Sequence, residues 1–184
     1  QKRKIPSISI LATHDKINSL GNFIFRVCFN NSYQGKMLAR YAAKKIRAKK
    51  ALLLINLQNS YSVDLAKAIQ EEFQRFGGQI VQTINYIPRK DVSFFVQEIK
   101  QINKDSYDSI FLPDDQVYVM PIMEAFYILG VTGKKYFGGD GWNMATIHMK
   151  NKHFDAFETY VIGHWDKDKP KTKCKKCKSQ QFEA

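Results

Sequence analysis

Two rhythms of apolar residues alternate along this chain. Residues 23–29 alternate apolar and polar and predict a strand. Residues 51–57, A-L-L-L-I-N-L, form the unbroken apolar run of a strand buried on both faces of a parallel sheet. Between them, starting near Ser32, the residues Met37, Leu38, Tyr41, Ala42 and Ile46 fall on one face of a helix whose other face is Lys and Arg. A second helix is predicted after N-S-Y-S-V-D. There Leu65, Ile69, Phe73 and Phe76 keep helical spacing, Ser60 or Ser62 offers the cap, and Gly77-Gly78 stops it. Residues 79–86 predict a strand, 88–90 a turn, and Asp91 caps a helix bearing Phe95, Ile99 and Ile102.

The segment 107–143 then reads as strand, helix, strand: Y-D-S-I-F-L-P-D-D-Q, an apolar stretch ending F-Y-I-L-G, and K-K-Y-F-G-G-D-G-W-N. Pro121 complicates the helix, which either starts near Met120 or kinks, because proline removes one hydrogen bond and clashes with the preceding turn. Residues 150–158 predict one more short helix and 159–165 a last strand. Strands and helices alternating with short connections predict an α/β fold: a doubly wound, mainly parallel sheet with helices on both faces. In such a sheet Asp114, Asp115 and Asp140 all emerge at the carboxyl edge, where open α/β sheets hold ligands.

Composition narrows the classes. The 184 residues, 44% hydrophobic, suffice for one sizeable core. Lys and Arg number 29 against 17 Asp and Glu, a formal charge of +12, so nucleic acid or an anionic membrane surface has to be weighed as a partner. The excess, however, is spread over residues 44–50 and 167–178, which reads as a solvated basic surface. No run reaches the 18 or so apolar residues of a membrane span. The opening Q-K-R-K-I-P carries no apolar secretory stretch, and residues 7–11 read as a strand with nothing before it to pair with. The expectation is a soluble piece of a longer protein.

Three cysteines are too few for a disulfide framework. Cys28, inside F-I-F-R-V-C-F, reads as a small buried hydrophobe. Cys174 and Cys177 form C-K-K-C, half a zinc site by spacing, with no second pair and no nearby histidine. The histidines His14, His148, His153 and His164 show no ligand spacing, and no HxxE, HExxH, GxSxG or P-loop pattern accompanies the carboxylates. Neither a cofactor nor a catalytic group is expected. Glycines flanking Asp140 let a molecule approach the backbone, and Trp142 offers an apolar wall. A carboxylate with aromatics at a cleft mouth suits an ammonium group and its side chain.

Several stretches together resemble the type I periplasmic solute-binding proteins, in particular the leucine/isoleucine/valine-binding branch that serves ABC transporters. They are I-P-S-I-S-I-L-A-T-H-D-K-I, F-I-F-R-V-C-F-N-N-S-Y-Q-G-K-M-L-A-R-Y-A-A, N-S-Y-S-V-D-L-A-K-A-I-Q-E-E-F-Q-R-F-G-G-Q-I-V, S-I-F-L-P and F-G-G-D-G-W-N, collinear over about residues 5–169. The resemblance implies a two-lobed, extracytoplasmic or periplasmic receptor that closes on a small ligand, usually an amino acid, and delivers it to a membrane permease. It implies nearly all of the second lobe here, with residues 1–22 as inter-lobe strand and hinge, 23–145 as the α/β lobe, and 146–184 as returning hinge strand and basic tail. Half a binding site is expected, and the exposed edge invites self-association.

Residue by residue, Thr13 in L-A-T-H-D matches a threonine that reaches the ligand's polar groups, against a hinge or capping hydroxyl. Tyr61 in N-S-Y-S matches the aromatic that covers the ligand, against simple packing. Asp140 in G-G-D-G-W matches the acid that pairs with the ligand's ammonium, against a turn aspartate. The chain departs from the pattern at P-D-D-Q: branched-chain members place aromatics where Asp115 and Gln116 stand, so a polar wall and a more polar or basic ligand are expected. Two other classes stay open. One is a ligand-sensing receptor domain of the same fold; the other, resting only on charge and clustered carboxylates, is an enzyme or nucleic-acid-binding α/β domain.

Overall fold

The computed structural model describes residues 4–88, 91–142 and 153–163. Two short strands, β1 (Ser7–Ser9) and β2 (Ile24–Arg26), pair in parallel with Ser7 opposite Ile24. The strand expected to lack an upstream partner therefore finds one downstream. The alternating segment 23–29 contributes β2 to this small sheet and not to the main one. Between the two strands lies a 3-10 turn, Asp15–Leu20.

The main sheet has five parallel strands: β3 (Lys50–Asn56), β4 (Gln79–Tyr86), β5 (Ser109–Leu112), β6 (Lys135–Gly138) and β7 (Glu158–Val161), in the order β4-β3-β5-β6-β7. Four helices flank it: α1 (Asn31–Lys44), α2 (Ser60–Arg75), α3 (Val92–Lys100) and α4 (Gln116–Ile128). The period-2 alternation of β3 divides the core. Ala51 and Leu53 face α1 and α2 together with Phe111 and Phe137, while Leu52 and Leu54 pack with Ile110, Leu112 and Tyr136 against α3 and α4. Leu53 and Phe111 have no exposed surface, and such burial contributes roughly 1.5–3 kcal/mol per side chain.

Local chemistry sets the helix ends. Asn30 caps α1 by accepting the Tyr33 N–H at 2.8 Å, and Asp91 caps α3 by accepting the Ser93 N–H at 2.9 Å. The cap of α2 is Asn59, which accepts the Tyr61 N–H at 3.1 Å, not Ser60 or Ser62. Gly77, at φ +81°, closes its far end, and the Gly78 N–H reaches the Phe73 carbonyl at 2.9 Å. Of the two outcomes weighed at Pro121, a start near Met120 does not hold: α4 begins at Gln116, where Asp115 O accepts from the N–H groups of both Tyr118 and Val119, and Pro121 lies inside it. Of the predicted elements near the end, Phe154–Ala156 is a 3-10 turn and β7 stops at Val161, with residues 150–152 and Trp165 outside the described part. Cys28 is half-buried, its Sγ 3.5 Å from Ala12 O; Cys174, Cys177, His148 and His164 lie outside the described residues.

The two helices α1 and α2 approach closely. A Cβ on Gly35 would stand 2.7 Å from Ala68 Cβ and 2.8 Å from Leu65 O, so only glycine permits this spacing. Across the same seam, Arg40 donates to Glu72 Oε1 from Nη2 at 2.6 Å and from Nε at 3.2 Å, and Arg75 Nη1 lies 3.6 Å from Oε2. The Arg40 hydrogen bond holds the buried Glu72 carboxyl below its ordinary range.

Candidate functional site

The parallel register brings the carboxyl ends of β3, β5 and β6 to one edge. From β3 the chain runs through α2 outward to β4; from β5 it runs through α4 the opposite way to β6. The crevice where connections diverge in this manner lies between β3 and β5, at the position where doubly wound sheets take ligands. Three loops meet there: 57–59 after β3, 113–115 after β5, and 139–142 after β6.

One carboxylate organises the first two loops from below. Asp114 is fully buried, and its Oδ2 accepts from Asn56 Nδ2 at 2.9 Å and from the Tyr86 hydroxyl at 2.5 Å. Its Oδ1 accepts from Asn59 Nδ2 at 2.8 Å and from the Asp115 N–H at 2.8 Å. Four donors satisfy it, as a buried charge requires. Burial and the Asp114 charge push the Tyr86 hydroxyl pKa upward, so it stays a donor. Asn59 links the layers: its Nδ2 also reaches Asp115 Oδ2 at 3.1 Å, while its Oδ1 caps α2.

A second network fixes Asp140. Gln34, buried in the first turn of α1, donates from Nε2 to Asp140 Oδ1 at 2.7 Å and accepts the Asp140 N–H on Oε1 at 3.0 Å. The Tyr61 hydroxyl donates to Asp140 Oδ1 at 2.8 Å and accepts the Gly141 N–H at 3.1 Å. Burial first, then the charge of Asp140, raises the Tyr61 pKa, which keeps the phenol protonated. Glycine is needed in this loop for space. A Cβ on Gly139 would fall 2.2 Å from both Gln34 Oε1 and the Tyr61 oxygen, and one on Gly141 would fall 2.9 Å from Asp115 Oδ1.

Above these networks opens a cleft of about 370 Å³, lined on one side by Leu11–His14 and on the other by Asn31, Ser60, Tyr61, Asp115, Asp140 and Gly141. Its polar lining is rich in acceptors. Thr13 is tied to α1 through its carbonyl, which accepts the Asn31 N–H at 2.8 Å. Asp115 is exposed, and its pKa is raised by burial of part of the carboxyl, by Asp114 and by Asp140. Among the described residues, no group of three or more His, Cys, Asp and Glu side chains is arranged to hold a metal ion.

No protein-family model and no curated protein matches the sequence. Solved structures do. The chain is similar to the branched-chain amino-acid transporter substrate-binding protein LivJ of Streptococcus pneumoniae, in complex with isoleucine, at 25% identity and TM-score 0.78 over 91% of this chain and 46% of that one. It is similar to the leucine-binding protein LivK of Thermotoga maritima at 22% identity and TM-score 0.71, over 82% of this chain and 42% of that one. A solute-binding protein of an ABC transporter from Rhodopseudomonas palustris, in complex with 3,4-dihydroxybenzoic acid, matches at 24% identity and TM-score 0.62 over 76% and 38% of the two chains. The fold is that of one lobe of a type I periplasmic binding protein. The chain spans under half the length of each of these three proteins.

Thr13, Tyr61, Asp115 and Asp140 come together around the cleft. Gln116 and Trp142 do not line it. Trp142 is buried, donates from Nε1 to Leu112 O at 3.1 Å, and lies against Gly138, where a Cβ would stand 2.2 Å from the indole; it is a core residue and not a cleft wall. Gln116 heads α4, with its N–H on Gly141 O at 3.0 Å and its Oε1 buried without a donor. The sequence reading missed Asn31, Gln34 and Asn59. Polar side chains at a helix start read as caps or solvated surface, and only their convergence on the carboxylates marks them.

Proposed function

We propose that this lobe belongs to an extracytoplasmic substrate-binding component of an ABC transporter, which closes on an amino acid or similar small polar metabolite and delivers it to a membrane permease. The supporting observation is that Asp140, a carboxylate fixed by Gln34 and Tyr61, stands at the wall of a cleft of small-molecule size. In this reading residues 23–145 form one lobe and the segment up to residue 22 crosses toward the other. Asp140 takes the ligand's ammonium, the Thr13 hydroxyl meets its polar groups from the crossing segment, and the Tyr61 ring covers it. Among the described residues of the lining no nucleophile is hydrogen-bonded to a base, which favours binding over catalysis. The solved relatives bound to isoleucine and to a dihydroxybenzoic acid show that this fold serves ligands of such size.

The physical driver is differential contact: a ligand stabilises the closed form only by as much as it binds that form better than the open one. A charge-assisted hydrogen bond from an ammonium to Asp140 is worth roughly 1.5–3 kcal/mol, so Asp140→Ala in the full-length protein lowers affinity about ten- to a hundredfold. Titration calorimetry tests this. Unchanged affinity for every amino acid that the wild type binds contradicts the reading.

A further inference from the structure

The cleft occupies the carboxyl edge of the main sheet; the opposite edge, where the chain enters each strand, collects cations. They are densest at the turn from α1 into β3, where Lys44, Lys45, Arg47, Lys49 and Lys50 are all exposed, and Arg75 is exposed at the end of α2. Phe76 joins the two groups: Lys44 Nζ lies 4.2 Å and Arg75 Cζ 5.8 Å from the centroid of its ring. Hydrogen bonds hold the turn in shape. Asp108 Oδ2 accepts the Lys49 N–H at 2.9 Å and the Lys50 N–H at 3.2 Å, and the Ala48 N–H reaches Ala42 O at 2.9 Å. Arg47 sits in the left-handed region at φ +60°, where glycine is the usual residue, so a cation is kept at the turn at a conformational cost. Among the described residues, none of Lys44, Lys45, Arg47, Lys49 and Lys50 forms an ion pair.

We propose that this basic pole, centred on residues 44–50, is a docking surface for an anionic lipid bilayer. Lipid phosphates ask for a number of cations at one surface and not for a fixed hydrogen-bond geometry, which suits four lysines and one arginine on a single turn. Each Lys or Arg brought to such a surface raises the binding constant roughly fivefold, and the attraction fades within a Debye length. Single-stranded nucleic acid is the weaker fit, because it binds on aromatic rings that stack with bases. The ring at this pole, Phe76, is half-buried and already taken up by Arg40, Lys44 and Arg75. Since the pole and the cleft lie at opposite edges of the sheet, a lobe docked in this way keeps its cleft open to solvent. The transport reading enters only through the nearness of a membrane. The test uses no amino acid, so either idea can fail without the other.

The test is co-sedimentation of the full-length protein with vesicles of phosphatidylglycerol and phosphatidylcholine in a ratio of about 1:2, and with vesicles of phosphatidylcholine alone, at about 0.05 M and about 0.5 M salt. The expected result is binding to the anionic vesicles at low salt, lost at high salt and absent on the neutral ones. The triple variant Lys45→Gln, Arg47→Gln and Lys49→Gln is expected to bind at least about tenfold more weakly. A second triple variant, Lys16→Gln, Lys36→Gln and Lys67→Gln, removes the same charge from exposed positions on the 3-10 turn Asp15–Leu20, α1 and α2, and is expected to stay within about twofold of wild type. Should the first triple variant fail to fold, Lys45→Gln and Lys49→Gln made singly are each expected to cost about fivefold. Failure to bind anionic vesicles, equal binding to neutral ones, or equal losses in the two triple variants overturns the proposal. So does tighter binding to a DNA duplex than to the anionic vesicles at the same salt, which assigns the surface to nucleic acid.

Discussion

The Tyr61 hydroxyl donates to Asp140 Oδ1 across 2.8 Å while accepting the Gly141 N–H at 3.1 Å. One side chain of α2 thus sets both the carboxylate and the backbone of the loop after β6. Tyr61→Phe keeps the ring and removes the link. The expected outcome is a loss of about 1–2 kcal/mol in stability, read by urea denaturation, and a three- to tenfold loss in ligand affinity, read by calorimetry. Wild-type values on both counts contradict the positioning role.

Gly35 sets the distance between α1 and α2, and so the reach of its neighbour Gln34 toward Asp140. Gly35→Ala gains helix propensity but forces a methyl to within 2.7 Å of Ala68 Cβ. Overpacking of this kind costs about 1–3 kcal/mol, which exceeds the propensity gain. A lowered urea midpoint with an unchanged slope is the expected signature.

The Arg40–Glu72 pair makes stability depend on pH in a definite direction. Glu72 has a depressed folded pKa, chiefly through the Arg40 hydrogen bond, so its contribution is present above the ordinary carboxylate value of 4.5 and is lost as pH falls through the folded value. Arg40→Ala is expected to cost about 1.5–3 kcal/mol at neutral pH, with the difference from wild type shrinking as the pH falls below 4.5 and through the depressed folded value. Denaturation curves at neutral and at acid pH check this.

Asp115 has the opposite sign. Its folded pKa is raised, so the native state binds more protons than the unfolded chain between the two values, and stability falls as pH rises through that window. Asp115→Asn is expected to raise the melting temperature at neutral pH and to lose that advantage in acid. A site that sacrifices stability for ligand binding shows this behaviour.

Much of this architecture is legible in the amino-acid order. The A-L-L-L-I-N run is β3, buried on both faces, and the spacing of Leu65, Ile69 and Phe73 gives the buried stripe of α2. The carboxyl-edge placement of Tyr61, Asp115 and Asp140 follows once strands and crossovers alternate, and the cleft joins all three. Pairing of β1 with β2 was not legible, because three-residue strands carry too little pattern to choose a partner. Trp142 was read as a wall because its indole N–H has a partner, Leu112 O, that only the tertiary structure supplies. Gln34 and Asn31 lie within an amphipathic helix, where a polar residue reads as solvated until the opposing loop covers it. At Pro121 the sequence left two outcomes open, and the helix runs through the proline instead of starting near Met120, since one missing hydrogen bond is tolerated when buried contacts at Val119, Ile122 and Met123 hold it.

The account depends on Asp140 receiving a ligand cation inside the cleft bounded by Thr13 and Tyr61. A crystal structure of the full-length protein with its bound amino acid tests this most directly. The account predicts a ligand nitrogen within about 3 Å of the Asp140 carboxylate, beneath the Tyr61 ring. A ligand seated away from Asp140, or a ligand carboxylate in place of the nitrogen, contradicts it.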